Sequence, residues 1–176
     1  RVVSIGDLVL DYYYKNDKLL GINGGMTSHN IIANLAKMGL KTSVFACCGD
    51  DIQGEMAINS LKKLNVDIDN IKIISGVRTR CFHVSYNEEN GGLSFTSKKR
   101  CSFCNDKKWY DESLLDAYYI ISNIKVDDIL VFDNLNKKNQ VIINKINNKK
   151  IIDLGQYFEF ENMSNNEIIN ELKNKF

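Results

Sequence analysis

Two short apolar segments, each closed by a Gly-Asp pair and each leading to a helical stretch, constrain this chain more than any other feature. The first is Val2 to Ile5, ended by Gly6-Asp7. Its apolar run reads as a strand buried on both faces. The second, Lys41 to Cys48, ends at Gly49-Asp50-Asp51. Helical spacing places Ile31, Leu35 and Met38 on one face of a helix over Thr27 to Met38, and Gly39 sits where a helix ends. Ala57, Leu61 and Leu64 do the same for a helix over Ile52 to Leu64. Strand, helix, strand, helix in units of this size predicts parallel βαβ architecture.

Two segments do not fit a simple doubly wound pattern. Leu8 to Tyr14 and Leu19 to Ile22 flank the turn Lys15-Asn16-Asp17-Lys18, which predicts a hairpin hanging from the first strand. Thr79 to Tyr86 and Leu93 to Thr96 flank a glycine-rich turn, which predicts a second. Val66 to Ile74 reads as a strand. Later come a helix over Leu114 to Ile124, a buried strand over Asp128 to Phe132, a helix over Lys137 to Ile146, a strand over Lys150 to Leu154, and a helix over Asn165 to Lys175.

Composition narrows the function. Apolar residues make up 44% and charged residues 26% of the 176, as in globular domains, which argues against a disordered chain. The formal net charge is +1, against the large surplus expected of a nucleic-acid or polybasic membrane binder. No apolar run approaches a membrane span. Five cysteines, two of them adjacent, read as reduced thiols of a cytoplasmic protein. The chain opens on Arg with a strand already under way, so it is expected to be a piece of something longer.

Ile5-Gly6-Asp7, Asp11, Gly24-Gly25, Asn30 and a helix closing at Leu35-Ala36-Lys37-Met38-Gly39 resemble the N-terminal half of the ribokinase (PfkB) family of carbohydrate kinases. Gly49-Asp50-Asp51 and Gly54-Glu55 continue the resemblance, with matching order and spacing over about the first 75 residues. It implies an α/β fold of three Rossmann-like layers with a mostly parallel sheet, plus a small β lid. Residues 1–176 would be the N-terminal part of that domain, its C-terminal part absent, with lid hairpins at about 10–22 and 79–97. It also implies a cytoplasmic, ATP- and Mg2+-dependent enzyme that phosphorylates a hydroxyl of a small sugar. Its partners would be that sugar and a second copy of the chain paired through the lid, with neither nucleic acid nor membrane.

The resemblance makes Asp11, Gly24, Gly25, Asn30 and Asp133 the substrate-binding candidates. A carboxylate at a strand end can accept hydrogen bonds from two hydroxyls, glycines let backbone approach a ligand, and an amide both donates and accepts. The plain alternatives are a solvated turn carboxylate, an ordinary glycine turn and a helix-capping amide. Asn134 is a further candidate beside Asp133. Two departures stand out. Met26-Thr27-Ser28-His29 makes the gap between Gly25 and Asn30 long, and no G-x-G-D segment, which in the family carries the phosphate cradle and the base, occurs in the 176 residues. No catalytic residue is therefore expected in this chain, and the chain alone is expected to be inactive.

Two other readings remain. One is a non-catalytic small-molecule-binding or interaction module. The other is a zinc-stapled module using Cys81, His83, Cys101 and Cys104. The basic stretch around Trp109 and Tyr110 reads as a solvated loop.

Overall fold

The structure is a computed structural model, and it describes residues 1–6, 8–86, 91–97, 116–133, 137–152, 164 and 167. Asp7, Asn134, Cys101, Cys104, the basic stretch around Trp109 and the proposed C-terminal helix lie outside these residues.

A parallel sheet forms the centre. Its strands are β1 (Val2–Ile5), β4 (Thr42–Gly49), β5 (Ile71–Ile74), β8 (Ile129–Phe132) and β9 (Lys149–Ile152), in the order β5-β4-β1-β8-β9. Alternate side chains feed two separate cores. On one face Val2, Val44, Ala46, Cys48 and Val131 meet helix α1 (Thr27–Lys37) through Ile32 and Ala33, and α2 (Ile52–Lys62) through Ala57 and Leu61. On the other, Val3, Ile5, Phe45, Leu130 and Phe132 meet α3 (Ala117–Asn123) through Ile120, and α4 (Lys137–Lys145) through Ile142 and Ile143. Both faces are covered, which is why these strands read as unbroken apolar runs. The result is a three-layer α/β/α stack.

A second sheet has the order β3-β2-β6-β7. It comprises the hairpin β2 (Val9–Lys15)–β3 (Lys18–Gly25) and the antiparallel pair β6 (Cys81–Tyr86)–β7 (Leu93–Ser97), with β2 and β6 parallel to each other. The tight turn of the first hairpin places Asn16 and Asp17 at φ 47° and 59°, the left-handed pair that suits the strand twist and that Asn and Asp tolerate. Leu10, Tyr12, Ile22 and Cys81 join the core beneath α1 and α2.

Val66 to Ile74 is not one strand. Asp67 makes a single bridge to Ser43, then its carboxylate accepts from the Asp69 N–H at 3.1 Å and turns the chain before β5 begins at Ile71. The helix read from Leu114 is described from Asp116, whose carboxylate caps it by accepting from the Tyr118 N–H at 2.9 Å. Arg1 ties the amino end of β1 to both sides of the sheet, bonding Asp67 and Asp128 at 3.0 Å each.

Candidate functional site

β2 leaves the carboxyl end of β1, and β3 returns there to start α1. The second sheet, expected from the sequence to be a lid, is therefore rooted where ligands bind in open α/β sheets. Two groups of side chains meet at that root.

The first is on the lid. Asp11 is 6% exposed, and a Cβ on Gly25 would overlap its carboxylate. In the antiparallel register Gly25 lies opposite Val9 and Asn23 opposite Asp11, so all four share one face of the hairpin. The Tyr13 hydroxyl, two residues along on that face, donates to Asp11 Oδ2 at 3.3 Å. Oδ1 has no protein donor among the described residues. Burial raises the Asp11 carboxyl above its ordinary value, with the Tyr13 hydrogen bond pulling the other way. Burial, then the neighbouring Asp11 charge and its hydrogen bond, raises the Tyr13 phenol in turn.

The second group lies at the strand ends. Asp133 follows β8, is 2% exposed, and donates its N–H to the Ile5 carbonyl at 3.4 Å. A Cβ on Gly6 would overlap the Asp133 carboxylate and stand 2.8 Å from Ser28 Oγ. Gly6 thus admits a carboxylate and the first turn of α1 at once.

The five sequence candidates therefore divide. Asp11 and Gly25 adjoin, and Asp133 sits at the strand end with Gly6 and Ser28. Gly24 and Asn30 do not join them. The Gly24 position faces the His29 ring, on the opposite side of the strand from Gly25, and Asn30 is exposed and lines a separate cleft with Gly24 and His29. The cause is helical phase. Ser28 takes the inward position, and two residues add about 200° of rotation. Met26, the N-cap of α1, has φ 72° and ψ 161°, a region that favours glycine, so the long junction after Gly25 is accommodated there.

Sequence reasoning missed Ser28, Tyr13 and a tether built on the second Gly-Asp motif. Asp51 caps α2 by accepting from the Gly54 N–H at 2.9 Å, and it also accepts from the Thr79 N–H at 2.9 Å and hydroxyl at 2.5 Å. Thr79 Oγ1 in turn accepts from the Gly49 N–H at 3.0 Å. Asp50 accepts from Ser75 Oγ at 2.9 Å and the Gly76 N–H at 3.0 Å. These bonds fix the segment that enters lid strand β6. An Asp three residues before Gly54 was the available signal for the cap; nothing in the sequence pointed to Thr79.

Of the four residues of the zinc-stapled reading, Cys81 and His83 are described, and Cys101 and Cys104 are not. Cys81 Sγ donates to the Thr79 carbonyl at 3.5 Å, and His83 stacks between Tyr12 and Tyr14 at 5.4 and 5.1 Å. Among the described residues no three His, Cys, Asp or Glu side chains cluster to hold an ion. No G-x-G-D segment occurs in the 176 residues. No helix among the described residues is long and apolar enough to cross a membrane.

Comparison with known proteins agrees with this architecture. The chain superposes on an uncharacterized sugar kinase from Pyrococcus horikoshii with a TM-score of 0.70 at 20% identity, covering 99% of this chain and 62% of that one. It superposes on the Halothermothrix orenii fructokinase with a TM-score of 0.67 at 16% identity, covering 97% and 64%. In sequence it is 30% identical over 98 residues to the bifunctional protein HldE of Sulfurimonas denitrificans, covering 45% of this chain and 20% of that protein. The chain thus spans about a fifth of the length of the curated relatives it matches. The family model of the pfkB carbohydrate kinases matches residues 2–122, and the chain belongs to that family.

Proposed function

We propose that residues 1–176 are the sugar-binding and lid portion of an ATP-dependent kinase that phosphorylates a hydroxyl of a small carbohydrate. The observation that carries this reading is the buried Asp11 carboxylate, one oxygen bound by Tyr13 and the other without a donor among the described residues, against a glycine that leaves room for it. Asp11 accepts hydrogen bonds from sugar hydroxyls, and such charge-assisted bonds fix both position and orientation. Asp133 approaches from the strand ends. The lid sheet covers the sugar and keeps water from the reacting hydroxyl.

On this reading the roles of holding ATP and Mg2+ and of accepting the proton are assigned to none of the residues described above. Leu93 and Phe95 on β7 are 57% and 62% exposed, which supports pairing of two lids in a homodimer.

The test is sugar-dependent ADP release by the whole protein with Mg-ATP over a panel of neutral sugars. Release with at least one sugar is expected. A whole protein that binds sugar without releasing ADP would make it a binding module instead.

A further inference from the structure

A cleft of about 450 Å3 opens on the reverse of β3, between α1 and α2, and is built wholly from residues 10–64. It is not the Asp11 site, because Gly24 lines it and Gly24 faces away from Asp11. Its size suits a small organic ligand.

The lining has one sign of charge. Asn30, Asn34 and Lys37 recur at i, i+4 and i+7 along α1, and Asn59 on α2 is followed at i+4 by Lys63, which caps that helix. No Asp or Glu lines the cleft. Among the described residues neither lysine has an ion pair. Among the described residues the side chains of Asn34 and Asn59 are likewise uncommitted to hydrogen bonds.

His29 forms the back wall. It is 5% exposed, and its Nε2 lies 2.9 Å from Ser60 Oγ. Ser60 spends its single proton on the Ala57 carbonyl at 2.6 Å, so the imidazole is the donor in that pair. The ring is thereby fixed, and burial lowers the His29 pKa from its ordinary value, so the positive charge facing the cleft comes from the two lysines.

We propose that this cleft is a second ligand site, for the phosphate monoester of a small polyol. Two lysines with no acid match a dianion, and the amides offer both donors and acceptors to hydroxyls. Apolar Leu10 and Met56 line the same cleft. The proposal is independent of what the Asp11 site binds.

The probe is ribose 5-phosphate, titrated calorimetrically into the whole protein without nucleotide. Saturable binding is expected. Lys37 and Lys63 are both exposed, so K37A/K63A keeps its core, and it should weaken binding by about tenfold or more. N34D, which puts an acid into the cleft, should weaken it similarly. D11N alters the separate site and should leave binding within about twofold. Ribose and inorganic phosphate should each bind more weakly than the ester. Absence of saturable binding would overturn the proposal. So would binding that K37A/K63A leaves intact and D11N abolishes, since the ester would then occupy the first site. Failure of the kinase assay with retained ester binding would leave this site standing.

Discussion

Gly25 lies where any side chain would overlap the carboxylate of Asp11, so the two residues are packed as one unit at the root of the lid. Asp11 is 6% exposed and, among the described residues, has Tyr13 alone as a side-chain donor, a costly arrangement for a carboxylate unless a ligand completes it. Asn16 and Asp17 close the hairpin at its other end and hold the two strands in register. The second sheet is therefore organised around a buried carboxylate.

Gly25→Ala is predicted to push the Asp11 carboxylate from its position. Overpacking of this kind costs about 1–3 kcal/mol. Urea unfolding should show that loss, and sugar binding by the whole protein should weaken with it. An alanine variant with unchanged stability and binding would mean that Asp11 does not occupy this position.

The raised Asp11 carboxyl makes a signed prediction for stability against pH. Burial raises it above its ordinary 3.8, so the folded state holds the proton more tightly than the unfolded chain. That contribution is fully present below 3.8 and is lost as pH rises through the folded value. Asp11→Asn removes the titration. The variant should gain stability relative to the parent as pH rises, a difference read by urea unfolding from about pH 3 to about pH 8. Asp50 shifts the other way through its bonds from Ser75 and Gly76, and its contribution cancels in the difference.

The tether between α2 and the lid is predicted to depend on Asp51. Asp51→Ala removes a helix cap and two further bonds to Thr79, and a loss of about 2–3 kcal/mol is expected. Hydrogen exchange should show faster opening of Cys81–Tyr86 than of β1. Equal acceleration everywhere would mean that Asp51 acts on global stability alone.

Cys48 is predicted to be inert in the folded protein. Burial first, then the Asp51 charge, pushes its thiol up to about 11. Iodoacetamide at about pH 8 should leave Cys47 and Cys48 unmodified until the protein is denatured, as peptide mapping would show. Rapid labelling of Cys48 in the native state would contradict the burial of β4.

The βαβ core was legible because its strands are buried on both faces and its helices carry apolar residues at helical spacing. The strand over Val66 to Ile74 was too long because alternation carries no mark of the turn that Asp67 makes. Within the site, Asp11 and Gly25 were legible because a strand register fixes which face each residue takes. Asn30 was less so. One-dimensional spacing does not reveal that Met26 absorbs the extra length at φ 72° or that helical phase turns Ser28 inward in place of Asn30. The Thr79 contacts were not legible, since they join residues 28 and 30 apart, each through at least one side chain.

The most direct test is the effect of Asp11→Asn on kcat/KM for sugar phosphorylation by the whole protein, with folding checked by thermal melting. The variant keeps the volume of the side chain and removes its charge. A fall in kcat/KM of about tenfold or more, with a melting temperature at or above the parent's, is the predicted result. Undiminished kcat/KM in the folded variant would contradict the assignment of Asp11 as the residue that grips the sugar.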